Sequence, residues 1–532
     1  MNCKKYYFVG FFSILFLLGI FFRVYNFRDW LYFYPDQARD VMIVQDVLNG
    51  NAPLPLLGPI AASTSFKVGP MYYYFQIISA KIFGATPQAV AYPDLFFGIL
   101  SIPLLYYFLK RYFSTNISLT LAGLYSVSFY AIKYSRFAWN SNPIPFFVIL
   151  FLLSLLEFLN SNEKTKWFWV VALGIALGVG VQLHTVLLVL MPLTIAFVFL
   201  YLMRKNWKIL YKLAIVVSFA LVLNSGQILS EMRTNFHNTR DFFRVLDDRS
   251  PQERAGLAEN FMLDVICHSQ ANVLYLLSAE NKDSCNSFAD FRYDKDAKKN
   301  TAKYAMVIVN FSLGLALLVT GYFFLFLYFR KEQDKSKKMF LGLMLLYGAL
   351  SFLMLLPVIG TNGAVRYLLP IIFMPFLFLG FLIEYLSRKN FIFCKWLIAL
   401  LVLSLIGANF FTIAFEAKQF EAKNRSNSKY VVLGEAELMA DFIMGKTIPE
   451  KEAYILVNNT DFFWNYFKPL FYICGQKNFL LIREKSLENI PSGKTIYYMQ
   501  GPGENAYVSE KNNRQIETYR NFGNVAIYKL EK

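Results

Sequence analysis

Hydrophobic positions in this chain come in long blocks, not alternations, and each block ends in a short, mostly basic turn. Blocks near the ~20 residues needed to cross hydrocarbon read as membrane helices. Eleven are expected, at about 6–22, 89–109, 116–134, 143–160, 167–183, 186–203, 209–226, 304–329, 339–357, 367–386 and 395–414. The apolar stretch Met71–Gly84 is too short to span, and its tyrosines suit the membrane–water boundary, so it reads as an interfacial helix. With Lys4-Lys5 in the cytoplasm, the inward turns at Lys110-Arg111, Lys164–Lys166, Arg204–Lys208, Arg330–Lys338 and Arg388-Lys389 are all basic. The loops 23–88 and 227–303 and the C-terminal segment then lie on the outer face of the cytoplasmic membrane. The first block lacks a small-x-small cleavage site and predicts a retained helix.

Past about residue 414 the pattern changes. Ala453–Val457, Thr495–Met499 and Asn524–Tyr528 read as strands, and Gly434–Met444 as an amphipathic helix. The expected fold is an α-helical polytopic membrane domain over 1–414 with a small extracytoplasmic α/β domain over 415–532.

Composition agrees. Of 532 residues, 56% are hydrophobic and 17% charged, against about 25% charged in soluble chains. The net charge of +17 sits in the loops, where membrane topology explains it, and no basic stripe or motif suggests nucleic acid. Cys3 and Cys394 fall near cytoplasmic ends and Cys474 in the tail. Cys267 and Cys285 share one outer loop, as a disulfide or as two free thiols. The three histidines are scattered, and no metal-ligand spacing occurs.

Polar groups that stand out gather at the outer helix ends: Asp36, Arg39, Asp40, Lys67, Arg136, Asn140, Asn142, His184, Glu231, Arg233 and Arg366. A carboxylate there can act as general base on a hydroxyl, and nearby cations can stabilise a leaving phosphate. Each residue also has a plain structural alternative. Asp36 after Pro35 is a helix N-cap; Asp40 and Arg39 pair with one another; Lys67 snorkels; Arg136 and Arg366 are interfacial anchors; His184 closes a helix end. Asn140 and Asn142 cap the following helix, Glu231 bridges to Arg233, and Tyr72 belongs to a tyrosine belt.

Five stretches, in this order, resemble the C-type membrane glycosyltransferases, in the branch of protein O-mannosyltransferases and the lipid A aminoarabinose transferase. They are Asp36-Gln37-Ala38-Arg39-Asp40; Gly69-Pro70-Met71-Tyr72-Tyr73-Tyr74 leading to Ile82-Phe83-Gly84; Tyr134-Ser135-Arg136-Phe137-Ala138-Trp139-Asn140-Ser141-Asn142-Pro143; Gln182-Leu183-His184-Thr185; and Arg366-Tyr367-Leu368-Leu369-Pro370. The resemblance implies inverting transfer from a polyprenyl-phosphate sugar to an acceptor hydroxyl of a lipid, glycan or protein. Asp36 is then the general base, with Asp40 beside it. Arg39, Lys67, Arg136 and Arg366 contact the donor phosphate, and Tyr72, Asn140, His184 and Glu231 bind substrate. Gln37 departs from the family's acid at that position, which puts a metal role there in doubt. Asp36 and Asp40 could still supply oxygen ligands to a divalent cation. Two rivals remain at this point: a flippase for lipid-linked glycans, disfavoured by the few ionisable groups in the spans, and a non-catalytic binding subunit, which Gln37 keeps open.

Overall fold

The computed structural model describes residues 3–61, 64–160, 163–204, 207–247, 256–278, 301–356, 365–389, 391–421, 431–456, 460–484, 486–500, 516–522 and 525–531. Helices dominate. Six of the described helices are long and apolar enough to cross a membrane, seven if one bent pair is a single span.

Helix α1 (Cys3–Val24) leads to α2 (Pro35–Leu48) and α3 (Met71–Phe83). Next come α4 (Pro87–Leu109), α5 (Thr115–Val127) and the short α6 (Phe129–Lys133). Helices α1 and α5 cross closely because small residues face each other there. A Cβ added at Gly19 would lie 2.5 Å from the Ser126 carbonyl oxygen, and the Ser126 hydroxyl donates to the Leu15 carbonyl at 3.0 Å. The buried Arg23 guanidinium closes the same crossing on the carbonyls of Gly19 and Ser126, at 2.8 and 2.6 Å.

The expected helix at 116–134 is broken at Ser128. Asn409 accepts from the Phe129 N–H at 2.9 Å and the Ser128 hydroxyl donates to the Tyr275 carbonyl at 2.8 Å, so side chains satisfy the interrupted backbone. Helices α7 (Ile144–Asn160), α8 (Glu163–Gly180), α9 (Thr185–Met203) and α10 (Leu210–Leu223) follow. The expected helix at 209–226 turns by 66° into α11 (Ser225–Arg233). Asn224 at the corner donates to the carbonyls of Gly178 and Ala220, at 2.9 and 2.7 Å.

Within the expected polar loop 227–303, α12 (His237–Asp247) and α13 (Leu257–Leu277) are helical. Helix α13 runs against α14 (Thr301–Lys331), with Ser269 over Gly314. Its Asp264, His268, Ser269 and Asn272 are buried by protein, not water; their polarity hides the helix from a hydropathy reading. Cys267 on α13 is disulfide-bonded, and Cys285 lies outside the described residues. Helix α15 (Lys335–Leu355), a 3-10 helix at Val365–Ile371, α16 (Met374–Arg388) and α17 (Ile392–Glu421) complete the bundle.

The tail forms a five-stranded sheet in the order β2-β1-β3-β5-β4. Strand β1 (Glu452–Leu456) pairs in parallel with β2 (Leu480–Glu484) and β3 (Ile496–Gln500). Strand β5 (Val525–Leu530) pairs antiparallel with β3 and with β4 (Ile516–Phe522). Helices α18 (Leu433–Gly445) and α19 (Thr460–Gln476) accompany it. This domain docks on the segment before α2. The Phe33 N–H donates to Val431 and the Leu433 N–H to Leu31, both at 2.9 Å. Arg28 pairs with Glu437 at 2.6 Å, and Trp30 stacks on Phe420 of α17.

Candidate active site

Pro35 starts α2 because its missing N–H would be unsatisfied in a first helical turn anyway. That start puts Asp36 in the first turn, where the helix dipole favours a carboxylate, and Arg39 and Asp40 one turn on. The Asp36 side chain stays 50% exposed, whereas that of Asp40 is 3% exposed. Arg39 joins the two: Nη1 donates to Asp36 Oδ1 at 2.8 Å, and Nε and Nη2 donate to Asp40 Oδ1 at 2.9 and 2.7 Å. The Tyr73 hydroxyl of α3 donates to the same Asp40 oxygen at 3.1 Å.

Burial pushes the Asp40 carboxyl up to about 6, against the pull of Arg39. It is therefore ionised at neutral pH and holds Arg39 charged, since the two carboxylates raise the guanidinium further despite its burial. Burial also lifts Tyr73 well above the ordinary phenol range, so it stays a donor. The result is one open carboxylate, a fixed cation and a buried carboxylate behind them.

Gln37 takes the place where the resemblance expects an acid, and its amide explains why. It is 2% exposed. Its Nε2 donates to the Ala138 carbonyl at 2.5 Å, and its Oε1 accepts from the Tyr34 N–H at 3.4 Å. Only a side chain carrying both donor and acceptor can do this at once. Gln37 thereby ties α2 to the loop 134–142.

Lys67 lies on the strand-like run into α3. A bridge to Ile60 holds its backbone on one side. On the other, Asn238 of α12 accepts from its N–H at 2.7 Å and donates to its carbonyl at 2.9 Å. The side chain is exposed, with no hydrogen bond or ion pair among the described residues. Gly69 and Pro70 then pack where nothing larger fits: a Cβ at Gly69 would meet Gln182 Oε1 at 2.3 Å. Gln182 accepts from the Met71 N–H at 3.2 Å and donates to the carbonyls of Gly178 and Leu223, at 2.7 and 3.0 Å.

The other expected residues are placed differently. Tyr72 is fully buried, and its hydroxyl donates to Asp94 Oδ2 of α4 at 2.9 Å, so no substrate reaches it. Arg136, 9% exposed, donates to the carbonyls of Phe22 and Tyr25 at the end of α1, at 2.5 and 2.7 Å, and lies against the rings of Phe27 and Trp30. Burial lowers it only to about 10, so a charged guanidinium closes the C-terminus of α1, where a cation is favoured. That is the anchor alternative, and its geometry gives no support to phosphate contact. Asn140 donates to the Leu183 carbonyl at 2.6 Å. His184 caps α9 by accepting from the Val186 N–H at 3.2 Å, and its ring lies edge-on to Tyr367, 5.4 Å away. Two of the five stretches therefore meet there. The side chain of Arg366 is outside the described residues. Glu231 accepts from Thr239 at 3.0 Å and is not bridged to Arg233; its Oε2 is buried and unpartnered.

Asp36 and Asp40 do not fit a divalent ion as they stand, because Arg39 already fills the space between them with positive charge. Among the described residues no group of three or more His, Cys, Asp or Glu side chains is arranged to hold a metal. Sequence reasoning missed Asp94, fully buried on α4. An acid inside an apolar block marks function or a buried partner, and that signal was present.

The family model described as dolichyl-phosphate-mannose-protein mannosyltransferase matches residues 67–226. ArnT from Cupriavidus metallidurans in the apo state matches over 99% of this chain and 98% of its own, with a TM-score of 0.58 and 12% identity. By fold, the chain is similar to this transferase over its whole length. The same protein bound to undecaprenyl phosphate matches with a TM-score of 0.56, 12% identity and the same coverage of 99% and 98%. The oligosaccharyltransferase from Archaeoglobus fulgidus, in complex with Zn and sulfate, matches with a TM-score of 0.50 and 12% identity, over 92% of this chain and 67% of that one. No curated protein matches the sequence. The likeness of fold extends over the whole length of the chain, including the tail that the sequence resemblance left uncovered.

Proposed function

We propose that this C-type protein transfers a sugar, with inversion, from a polyprenyl-phosphate donor to an acceptor hydroxyl on the outer face of the cytoplasmic membrane. The observation that carries this reading is Asp36, an open carboxylate held by Arg39 on a buried, ionised Asp40. The Asp36 carboxylate takes the proton from the acceptor hydroxyl. The acceptor oxygen forms a bond to the anomeric carbon as the bond from that carbon to the phosphate oxygen breaks. The leaving polyprenyl phosphate gains one negative charge.

Cations must meet that charge. Arg39 spends three of its five N–H groups on Asp36 and Asp40, which leaves two for a phosphate oxygen. Lys67 supplies a second, uncommitted charge on a backbone fixed from both sides. Undecaprenyl phosphate, the ligand of the C. metallidurans protein, is the natural probe. His184 with Tyr367, and Glu231, are candidates for substrate contact. The sheet domain over the tail lies on the same face as Asp36, consistent with an extracytoplasmic position and a cytoplasmic N-terminus.

The test is turnover of a polyprenyl-phosphate sugar by purified protein in nanodiscs, read as release of undecaprenyl phosphate. Asp36→Asn should lower kcat about 100-fold or more, in the range general bases contribute, with undecaprenyl phosphate affinity kept. Lys67→Ala should weaken that affinity about tenfold. Unreduced turnover by Asp36→Asn removes Asp36 from the base role.

A further inference from the structure

We infer that Asp94, a buried carboxyl of α4 with no part in the bond changes, is a positioning residue that fixes the catalytic edge of α2 through α3. The inference rests on the transferase reading. Tyr72 and Tyr73 are sequence neighbours whose hydroxyls reach opposite ways, Tyr72 to Asp94 at 2.9 Å and Tyr73 to Asp40 at 3.1 Å. Asp40 holds Arg39, and Arg39 holds Asp36. A separate hold on α2, independent of Asp94, comes from the loop 134–142, where the Ala138 carbonyl receives the Gln37 amide, one residue from Asp36.

The contacts form one chain, Asp94, Tyr72, Tyr73, Asp40, Arg39 and Asp36, and its inner end, Asp94 with Tyr72, is at 0% exposure. Close by, Asp94 Oδ1 and both polar atoms of Gln76 are buried without a hydrogen-bond partner. Leaving such atoms unpaired carries a desolvation cost that apolar packing of α3 on α4 would avoid. Keeping polar groups there is reasonable if what they gain is orientation.

The experiment compares wild type, Asp94→Leu, Asp94→Asn and Tyr72→Phe in nanodiscs, by turnover, pH profile and hydrogen exchange. Asp94→Leu and Tyr72→Phe should lower kcat tenfold or more at unchanged KM for the donor. Their acid limb should move to higher pH, because Asp40 loses the steady Tyr73 donor. Asp94→Asn, which keeps an acceptor for Tyr72, should recover to within about threefold of wild type. Exchange should quicken at 34–41 in the first two variants, and this holds whether or not the protein is a transferase. Silent wild type with quickened exchange would overturn the function and keep the chain of contacts. Should Asp94→Leu not fold, Tyr72→Phe, which removes one oxygen, decides. Wild-type kcat, pH profile and exchange in Tyr72→Phe overturn the inference.

Discussion

Gln37→Glu is the substitution on which the site geometry speaks most sharply, because it restores the acid that the family resemblance expects. Glutamate is nearly isosteric, so packing is kept and only chemistry changes. The Gln37 amide donates to the Ala138 carbonyl at 2.5 Å in a site 2% exposed. An ionised glutamate has no proton to give and would press a negative oxygen against that carbonyl. The folded state can escape by keeping the carboxyl protonated, donating its O–H to Ala138. Holding neutral a carboxyl of ordinary pKa about 4.3 costs about 1.36 kcal/mol per pH unit above that value. That is about 3.7 kcal/mol at pH 7 and about 1 kcal/mol at pH 5. The sign follows from linkage: a folded-state pKa raised above the unfolded value gives stability that is present at low pH and lost as pH rises.

Hydrogen exchange at 34–41 and 137–140 reads this locally, without unfolding the membrane bundle. Protection in Gln37→Glu should approach wild type at pH 5 and fall by about two to three orders of magnitude at pH 7, after correction for intrinsic exchange, as about 1.4 kcal/mol per factor of ten requires. Turnover should follow the same pH trend, since Gln37 is adjacent to Asp36. Equal protection of variant and wild type at pH 7 would refute the tie to Ala138. An equal loss at both pH values would refute the protonation account.

Two further outcomes follow from the same geometry. Asp40, pushed up to about 6 by burial, should give wild-type turnover an acid limb near pH 6, because protonated Asp40 lets go of Arg39; Tyr73→Phe should move the limb up by roughly half to one unit, as the loss of a ~1 kcal/mol hydrogen bond implies. Stability should run the other way: a raised folded-state pKa contributes fully below the unfolded value and fades as pH climbs through about 6. Arg136→Gln should lower thermal stability by about 2–3 kcal/mol, the scale of a charged hydrogen bond lost from a buried carbonyl pair, with undecaprenyl phosphate affinity measured by titration within about twofold of wild type; a tenfold loss of affinity would return Arg136 to the phosphate site.

Much of this was legible in the sequence, and what was not has physical causes. The pattern of apolar blocks located α1, α4 and α7–α10 because each is nearly continuous in apolar residues, and α3 as a block too short to span. It read α5 and α6 as one helix because the break at Ser128 is made elsewhere, by Asn409 and Tyr275. It read α13 as loop because Asp264, His268 and Asn272 are polar yet buried among other helices. In the tail, the central strands β1, β3 and β5 showed themselves by continuous apolar runs, whereas β2 and β4 are the two edges. Edge strands carry more charge and less pattern, as Arg483 and Glu484 in β2 and Glu517 and Arg520 in β4 do. At the site, the spacing of Asp36, Arg39 and Asp40 foretold a shared helix turn. Nothing local could show that Asp40 would be buried and Asp36 open, or that Arg136 would be used up on the end of α1.

The remaining question is why an open carboxylate should be held so firmly. A general base gains from being fixed before the acceptor arrives, since the ordering cost is then met in folding and not in the transition state. Helix α2 is secured along its length. At its start Gln37 grips the loop 134–142. In its middle Asp40 takes Tyr73 of α3. Toward its end Gln45 donates to the Ala85 carbonyl at 2.8 Å and to the Tyr472 hydroxyl of α19 at 2.9 Å. The sheet domain thus reaches α2 directly, by Tyr472 on Gln45 and by the ring contact of Tyr472 with Phe33. Under the base role proposed for Asp36, a domain with no catalytic motif of its own therefore matters to catalysis: it is the wall that keeps α2 from rolling, and with α2 the direction in which Asp36 faces.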